Sequence, residues 1–223
     1  MSTIGQQIED ITRELPEGVR LVAVSKYHPA DSIREAYESG QRVFGESHAL
    51  EMKDKHEMLP KDIRWHFIGH LQTNKVKYII PYVDLIHSVD SVKLLREIDK
   101  QAAKVGRTVR CLLQLHIAQE ETKFGFTPEE CMAFLKEGEW KQMTHVRLCG
   151  IMCMASNVDD TVQIRNEFHR AHLFYNKVKE MFFAQEENFR ECSWGMSDDY
   201  PIAIEEGSTL IRVGSKIFGA RKY

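Results

Sequence analysis

No stretch of the 223-residue chain approaches the ~18 consecutive apolar residues of a membrane span. Met1 to Glu14 carries Glu9, Asp10 and Arg13 and has no apolar core, so a secretory signal is not expected there. Net charge is small, −3 at pH 7, and offers no basic face for nucleic acid. Cysteine is scarce and unpatterned. Cys111, Cys131, Cys149, Cys153 and Cys192 are odd in number, and no Cys-x-x-Cys occurs. The apolar neighbours of Cys111, Cys149 and Cys153 make them small core hydrophobes, which points to reduced thiols in the cytoplasm. The spacing and neighbours of Cys149 and Cys153 argue against a metal site. Repeats, low-complexity runs and linkers are also missing. One domain over residues 1–223 is therefore expected, a size barrels often reach undivided.

What is present is an alternation of short apolar runs and amphipathic segments. Strands are expected at Leu21 to Val24, Arg42 to Phe44, Trp65 to Ile68, Leu85 to His87, Val109 to Ile117, Leu148 to Met152, Arg190 to Ser193 and Thr209 to Val213. Several are near-continuously apolar, which suits strands buried on both faces. Helical patterns lie between them. Asp31 to Ser39 ends at Gly40, and Val92 to Val105 ends at Gly106 with Leu94, Leu95, Ile98 and Ala102 on one face. Thr127-Pro128 reads as an N-cap followed by proline at the first helical position. The longest helix is expected from Asp159 to Ala184, with Phe168, Leu173, Phe174 and Val178 inward. Strand then helix, about eight times over, predicts an α/β fold: a single TIM (β/α)8 barrel, with Met1 to Leu15 as an extra N-terminal helix. The competing open doubly wound sheet lacks its Gly-x-Gly-x-x-Gly after the first strand.

In such a barrel the chemistry belongs at the C-terminal ends of the strands. Lys26 follows the first strand, and its amine can form a Schiff base with an aldehyde. Ser197 follows the seventh strand; Gly214 and Ser215 follow the eighth. A backbone N–H at Gly214 can approach a phosphate closely, and two hydroxyls can donate to its oxygens. Ser215 can also open a short helix whose N-terminus favours an anion. An amine plus a phosphate cradle is what pyridoxal 5'-phosphate needs. Each piece has a plainer reading: a solvated lysine, a Gly-Ser turn, and methionines at 152, 154 and 196 as core filler. Arg212 is less ordinary, because it interrupts Leu210-Ile211-Arg212-Val213 on a strand that should line the barrel. It is either an edge salt bridge or a guanidinium under the cofactor ring, where it would keep the pyridine nitrogen unprotonated. His169 and His172 read as a solvated face. Lys123 and Asp198-Asp199 read as solvated charges, with a partner surface as the sharper alternative.

The chain resembles the pyridoxal phosphate homeostasis proteins, over almost its whole length. The resemblance rests on Leu21 to Lys26, Phe44-Gly45-Glu46, Trp65 to Lys75, Ser88-Val89-Asp90, Gly195 to Asp199 and Gly207 to Gly214. It implies a barrel like the N-terminal domain of alanine racemase, with pyridoxal phosphate as an internal aldimine on Lys26. It also implies that Ser197, Gly214 and Ser215 hold the phosphate, that Arg212 faces the pyridine nitrogen, and that His66 and Asn74 shape the mouth. A packed histidine bonded to backbone is the plainer reading of His66. One departure stands out: the family commonly has Phe-Gly-Glu-Asn, and here Ser47 takes the asparagine's place. Racemases of this fold draw a second base, a tyrosine, from an added β-domain, for which a chain ending at Tyr223 leaves no room. The expected role is therefore to hold or deliver pyridoxal phosphate with little or no catalysis. Pyridoxal phosphate-dependent apoenzymes are implied partners, with neither nucleic acid nor membrane, and the protein is expected to be a monomer. The alternatives are a racemase-like enzyme using Lys26 with His66 or Tyr27, and a barrel binding another phosphorylated metabolite.

Overall fold

A computed structural model of the chain describes residues 3–118 and 124–219. Lys123 lies outside the described residues. The N-terminal helix α1 (Ile4–Glu14) precedes strand β1 (Arg20–Val24). The alternation then runs α2 (Ala30–Glu38), β2 (Val43–Glu46), α3 (Ala49–Met58), β3 (Arg64–Phe67), α4 (Val76–Ile79), β4 (Leu85–Val89), α5 (Val92–Lys104) and β5 (Val109–Gln114). It closes with α6 (Pro128–Glu137), β6 (Val146–Met152), α7 (Thr161–Phe182), β7 (Glu191–Ser193), α8 (Tyr200–Glu205), β8 (Leu210–Val213) and α9 (Ser215–Phe218). The strands are parallel and pair in sequence order into a closed barrel, with β8 returning to β1. The expected (β/α)8 barrel with its extra N-terminal helix is therefore the observed fold.

Period-two alternation divides the apolar residues into two cores. Val22, Leu85, Leu112, Cys149, Met152 and Leu210 pack together as the filling of the barrel. The larger cluster lies between strands and helices and includes Ala23, Ile86, Leu113 and Ile211, each one residue out of step with an inward neighbour. Leu94, Leu95, Ile98 and Ala102 of α5 join it as expected, and full burial of such a side chain is worth roughly 1.5–3 kcal/mol. Gly150 shows how tightly β6 and β7 approach. Its φ is +149°, and a Cβ there would lie 1.8 Å from the Glu191 carbonyl oxygen, so no other residue fits.

Charge plugs the N-terminal end of the barrel. Glu191, 0 % exposed, pairs with Arg20 and with Arg110 (3.1 Å). Asp84 pairs with Arg64 (3.1 Å) and Arg110 (3.4 Å). The C-terminal end remains as the place for a ligand. Among the described residues no helix is long and apolar enough to cross a membrane.

Several expectations need correction. Strand β5 stops at Gln114 rather than Ile117: the Leu115 N–H still reaches the Met152 carbonyl of β6 at 2.8 Å, but the backbone then turns to Phe126, through a Leu115–Phe126 bridge and the His116 N–H. Leu173 of α7 faces solvent at 55 % exposure, while Ala171 and Tyr175 take the inward positions. His172 is not on a solvated face: it is half-buried, bonds the Glu206 carbonyl at 2.9 Å and packs edge-on to Trp194. Asp199 is buried, and its carboxylate accepts from the Met196 N–H rather than from water. Met196 is exposed and, with Met154, lines a cavity of about 320 Å³ rather than the core.

Candidate functional site

Lys26 lies two residues past Val24, on the same parity as the inward Val22, and is half-buried in the turn that leaves β1. The register of β1 against β8 pairs Ala23 with Val213. The next residues of both strands, leading to Lys26 and to Gly214, therefore emerge side by side. A Cβ on Gly214 would lie 3.0 Å from the Val24 carbonyl oxygen and 3.2 Å from its Cβ. Glycine is what lets the two strand ends approach. The Gly214 N–H donates to the Ser197 hydroxyl at 3.3 Å, joining the loops after β7 and β8. Ser197 is buried, and Ser215 is exposed as the first residue of α9. One amine, one glycine N–H and two hydroxyls thus share a sector of the mouth. This donor set, one amine beside a glycine N–H and two hydroxyls, fits an aldehyde-bearing phosphate ester.

Arg212 forms the floor of that sector. It is 4 % exposed, so it is not an edge residue. Its Nη1 donates to the carbonyl and the hydroxyl of Ser193, both at 2.7 Å, and its Nη2 to the Cys153 carbonyl at 3.0 Å. Burial presses its pKa down, but a guanidinium starts high enough to stay charged at neutral pH. The polar chain then continues through the barrel. Ser193 Oγ meets His87 Nδ1 at 2.8 Å, His87 Nε2 meets His66 Nδ1 at 2.9 Å, and His66 Nε2 meets Asp84 Oδ2 at 3.3 Å.

One proton arrangement satisfies every link. Arg212 donates to Ser193, Ser193 to His87 Nδ1, His87 Nε2–H to His66 Nδ1, and His66 Nε2–H to the Asp84 carboxylate. Reversing the histidines would set a bare ring nitrogen against that carboxylate. Burial opposes ionisation of Asp84, yet His66, Arg64 and Arg110 together hold its carboxyl well below the usual range. Burial also lowers His66 and, more strongly, His87, so both rings are neutral donors and acceptors at pH 7. A cation at the mouth and an anion at the plug are thereby linked through two neutral imidazoles.

His66 therefore does not shape the mouth; it is 2 % exposed and bonds side chains inside the barrel, not backbone. Asn74 is exposed on a 3-10 turn, Thr73–Lys75, after β3. Ser47 is half-buried; its hydroxyl meets His48 Nδ1 at 3.1 Å. It lines a separate cavity of about 450 Å³ with Phe67, His70 and Lys75. Tyr27 is exposed at 41 %. His87 and Ser193 were not singled out from the sequence. The signal was there for His87, which like Arg212 is a polar residue on the inward parity of a largely apolar strand; Ser193 ends the short strand Glu-Cys-Ser, which has no apolar pattern to interrupt.

The family model for the N-terminal domain of alanine racemase matches residues 1–222. The pyridoxal phosphate homeostasis protein of Haemophilus influenzae is 33 % identical over 229 residues, covering 100 % of this chain and 95 % of that one. PipY of Synechococcus elongatus PCC7942, solved without pyridoxal phosphate, superposes with a TM-score of 0.91 at 36 % identity, covering 97 % of this chain and 100 % of PipY. Its structure with pyridoxal phosphate bound gives 0.88 at 35 % identity with the same coverage.

Proposed function

This chain belongs to the alanine racemase N-terminal domain family and, within it, to the pyridoxal phosphate homeostasis proteins, and we propose that it binds pyridoxal 5'-phosphate at the barrel mouth and serves to hold it. The observation that carries this reading is the convergence of Lys26, Ser197, Gly214 and Arg212 on the ends of β1, β7 and β8. When bound, the cofactor would supply an aldehyde carbonyl able to react reversibly with a lysine amine. Lys26 is the amine that the turn after β1 presents. Gly214 N–H and the hydroxyls of Ser197 and Ser215 are the phosphate donors. The buried Arg212 would offer the cofactor a permanent donor and no proton to transfer, which would leave a pyridine nitrogen facing it unprotonated. That arrangement weakens the electron sink amino-acid chemistry needs. It suits retention rather than turnover.

His66, the sequence candidate for a second base, is committed to His87 and Asp84. One barrel domain is sufficient for this role. Five buried thiols fit a reducing cytoplasm, and the proposed recipients are apoenzymes that require pyridoxal phosphate, served by a monomer. Borohydride reduction of the loaded protein, followed by peptide mass mapping, tests the central assignment. A pyridoxyl adduct is expected on Lys26 in stoichiometric yield, with negligible racemisation of D- or L-alanine. An unmodified Lys26 after loading with excess cofactor overturns it.

A further inference from the structure

Lys26 sits between two peptide groups that a single buried cluster grips. Lys55 of α3 is 4 % exposed, which is rare for an ammonium. Its Nζ donates to the Ser25 carbonyl (2.8 Å), to Glu46 Oε1 (2.8 Å) and to Glu51 Oε1 (2.6 Å). Those three acceptors match the three donors of an ammonium group. Ser25 Oγ also donates to Glu46 Oε1 at 2.6 Å. On the far side of Lys26, the Tyr27 N–H donates to Glu51 Oε1 at 2.6 Å. The carbonyl preceding Lys26 and the amide following it are thus tied to one ion cluster. Tyr27 has φ +67° and, among the described residues, is the one non-glycine residue in the left-handed region. A bulky residue stays there only when its surroundings hold it.

A buried ion pair is often no more stabilising than an apolar replacement. Apolar residues at positions 46, 51 and 55 would fill the volume but remove the ammonium and carboxylate from the Ser25 carbonyl, which also accepts from the His28 N–H at 3.1 Å, and from the Tyr27 amide. We propose that Lys55 and Glu51, supported by Glu46, are positioning residues that fix the turn carrying Lys26, so that its amine is presented to the cofactor aldehyde. This rests on Lys26 being the cofactor amine. The cluster bonds the Ser25 carbonyl and hydroxyl and the Tyr27 amide, so its effect is on the orientation of the turn rather than on the reacting atoms.

The test compares the full-length protein with Glu51→Ala, Glu51→Gln and Lys55→Met. Two quantities are read: hydrogen exchange of the Tyr27 amide in the cofactor-free protein, and affinity for pyridoxal phosphate from the absorbance of the lysine adduct. Glu51→Ala should speed Tyr27 exchange and weaken uptake, each about tenfold, as expected for loss of a charge-assisted hydrogen bond. Glu51→Gln retains an acceptor oxygen and should stay within about threefold of the parent in both. Lys55→Met should weaken uptake at least as much as Glu51→Ala. Glu51 is partly exposed, so should Lys55→Met fail to fold, the Glu51 pair decides. Wild-type uptake and exchange in Glu51→Ala would overturn the proposal. Absence of any adduct in the parent overturns instead the reading of Lys26, while Tyr27 exchange still reports whether Glu51 holds the turn.

Discussion

Ser193 is the residue on which the interior polar chain turns. Its hydroxyl accepts from Arg212 and donates to His87 Nδ1, both within 2.8 Å. It is 0 % exposed, so no water replaces what it supplies. Ser193→Ala removes one acceptor from Arg212, which retains the Ser193 and Cys153 carbonyls. His87 loses more, because its Nδ1 is left without a donor in a dry site. A buried polar group stripped of its partner costs roughly 1–3 kcal/mol. Ser193→Ala should therefore lower the unfolding free energy by about that amount in urea titration. A change below about 0.5 kcal/mol, the range of surface substitutions, would show that the hydroxyl is not the link drawn here.

At the scale of elements, what could be read from the sequence was whatever obeyed a period or a cap. Helix α6 was legible because Thr127 accepts from the Glu130 N–H at 3.1 Å while Glu130 reaches back to the Thr127 N–H at 2.9 Å. That reciprocal pair leaves a mark in sequence, Thr-Pro-Glu-Glu. Thr127→Ala should cost about 1 kcal/mol by thermal or urea unfolding, with no effect on cofactor uptake, because the cap is an exposed local contact. Helix α3 was not legible as an amphipathic pattern, since its inward stripe runs Ala49, Met52, Lys55 and a lysine breaks any apolar periodicity. The same distinction divides the site. Lys26, Gly214 and Arg212 follow from position at strand ends and strand parity. The partners of Arg212 and of the turn that carries Lys26 do not, because Ser193, Glu51 and Lys55 meet them only once the barrel has closed.

For the molecule as a whole, buried ionisable groups of opposite tendency set the response to acid. His87 and His66 have pKa values lowered by burial. The unfolded chain therefore binds their protons first, and stability is lost as pH falls below about 6.5. Neighbouring Arg212, Arg110 and Arg20 add to the depression at His87. Glu46 has the reverse sign. Burial raises its carboxyl to about 7, with Lys55 and Ser25 pulling it down and Glu51 pushing it up. The folded state then holds a proton that the unfolded chain releases above about 4.5, so this group adds stability as pH falls from about 7 towards 4.5. Each fully displaced group changes stability by up to about 1.4 kcal/mol per pH unit. Glu46 thus offsets His87 across the shared window, and the smaller depression of His66 decides the sign. The parent should lose stability only gently between about pH 6.5 and 5. Glu46→Gln abolishes the offsetting group and should fall more steeply, by up to about 1.4 kcal/mol per pH unit. Urea titrations of both proteins across that range measure the difference in slope directly. Parallel curves would mean that Glu46 is already ionised in the folded barrel at pH 5, and that Lys55 outweighs the burial of its carboxylate.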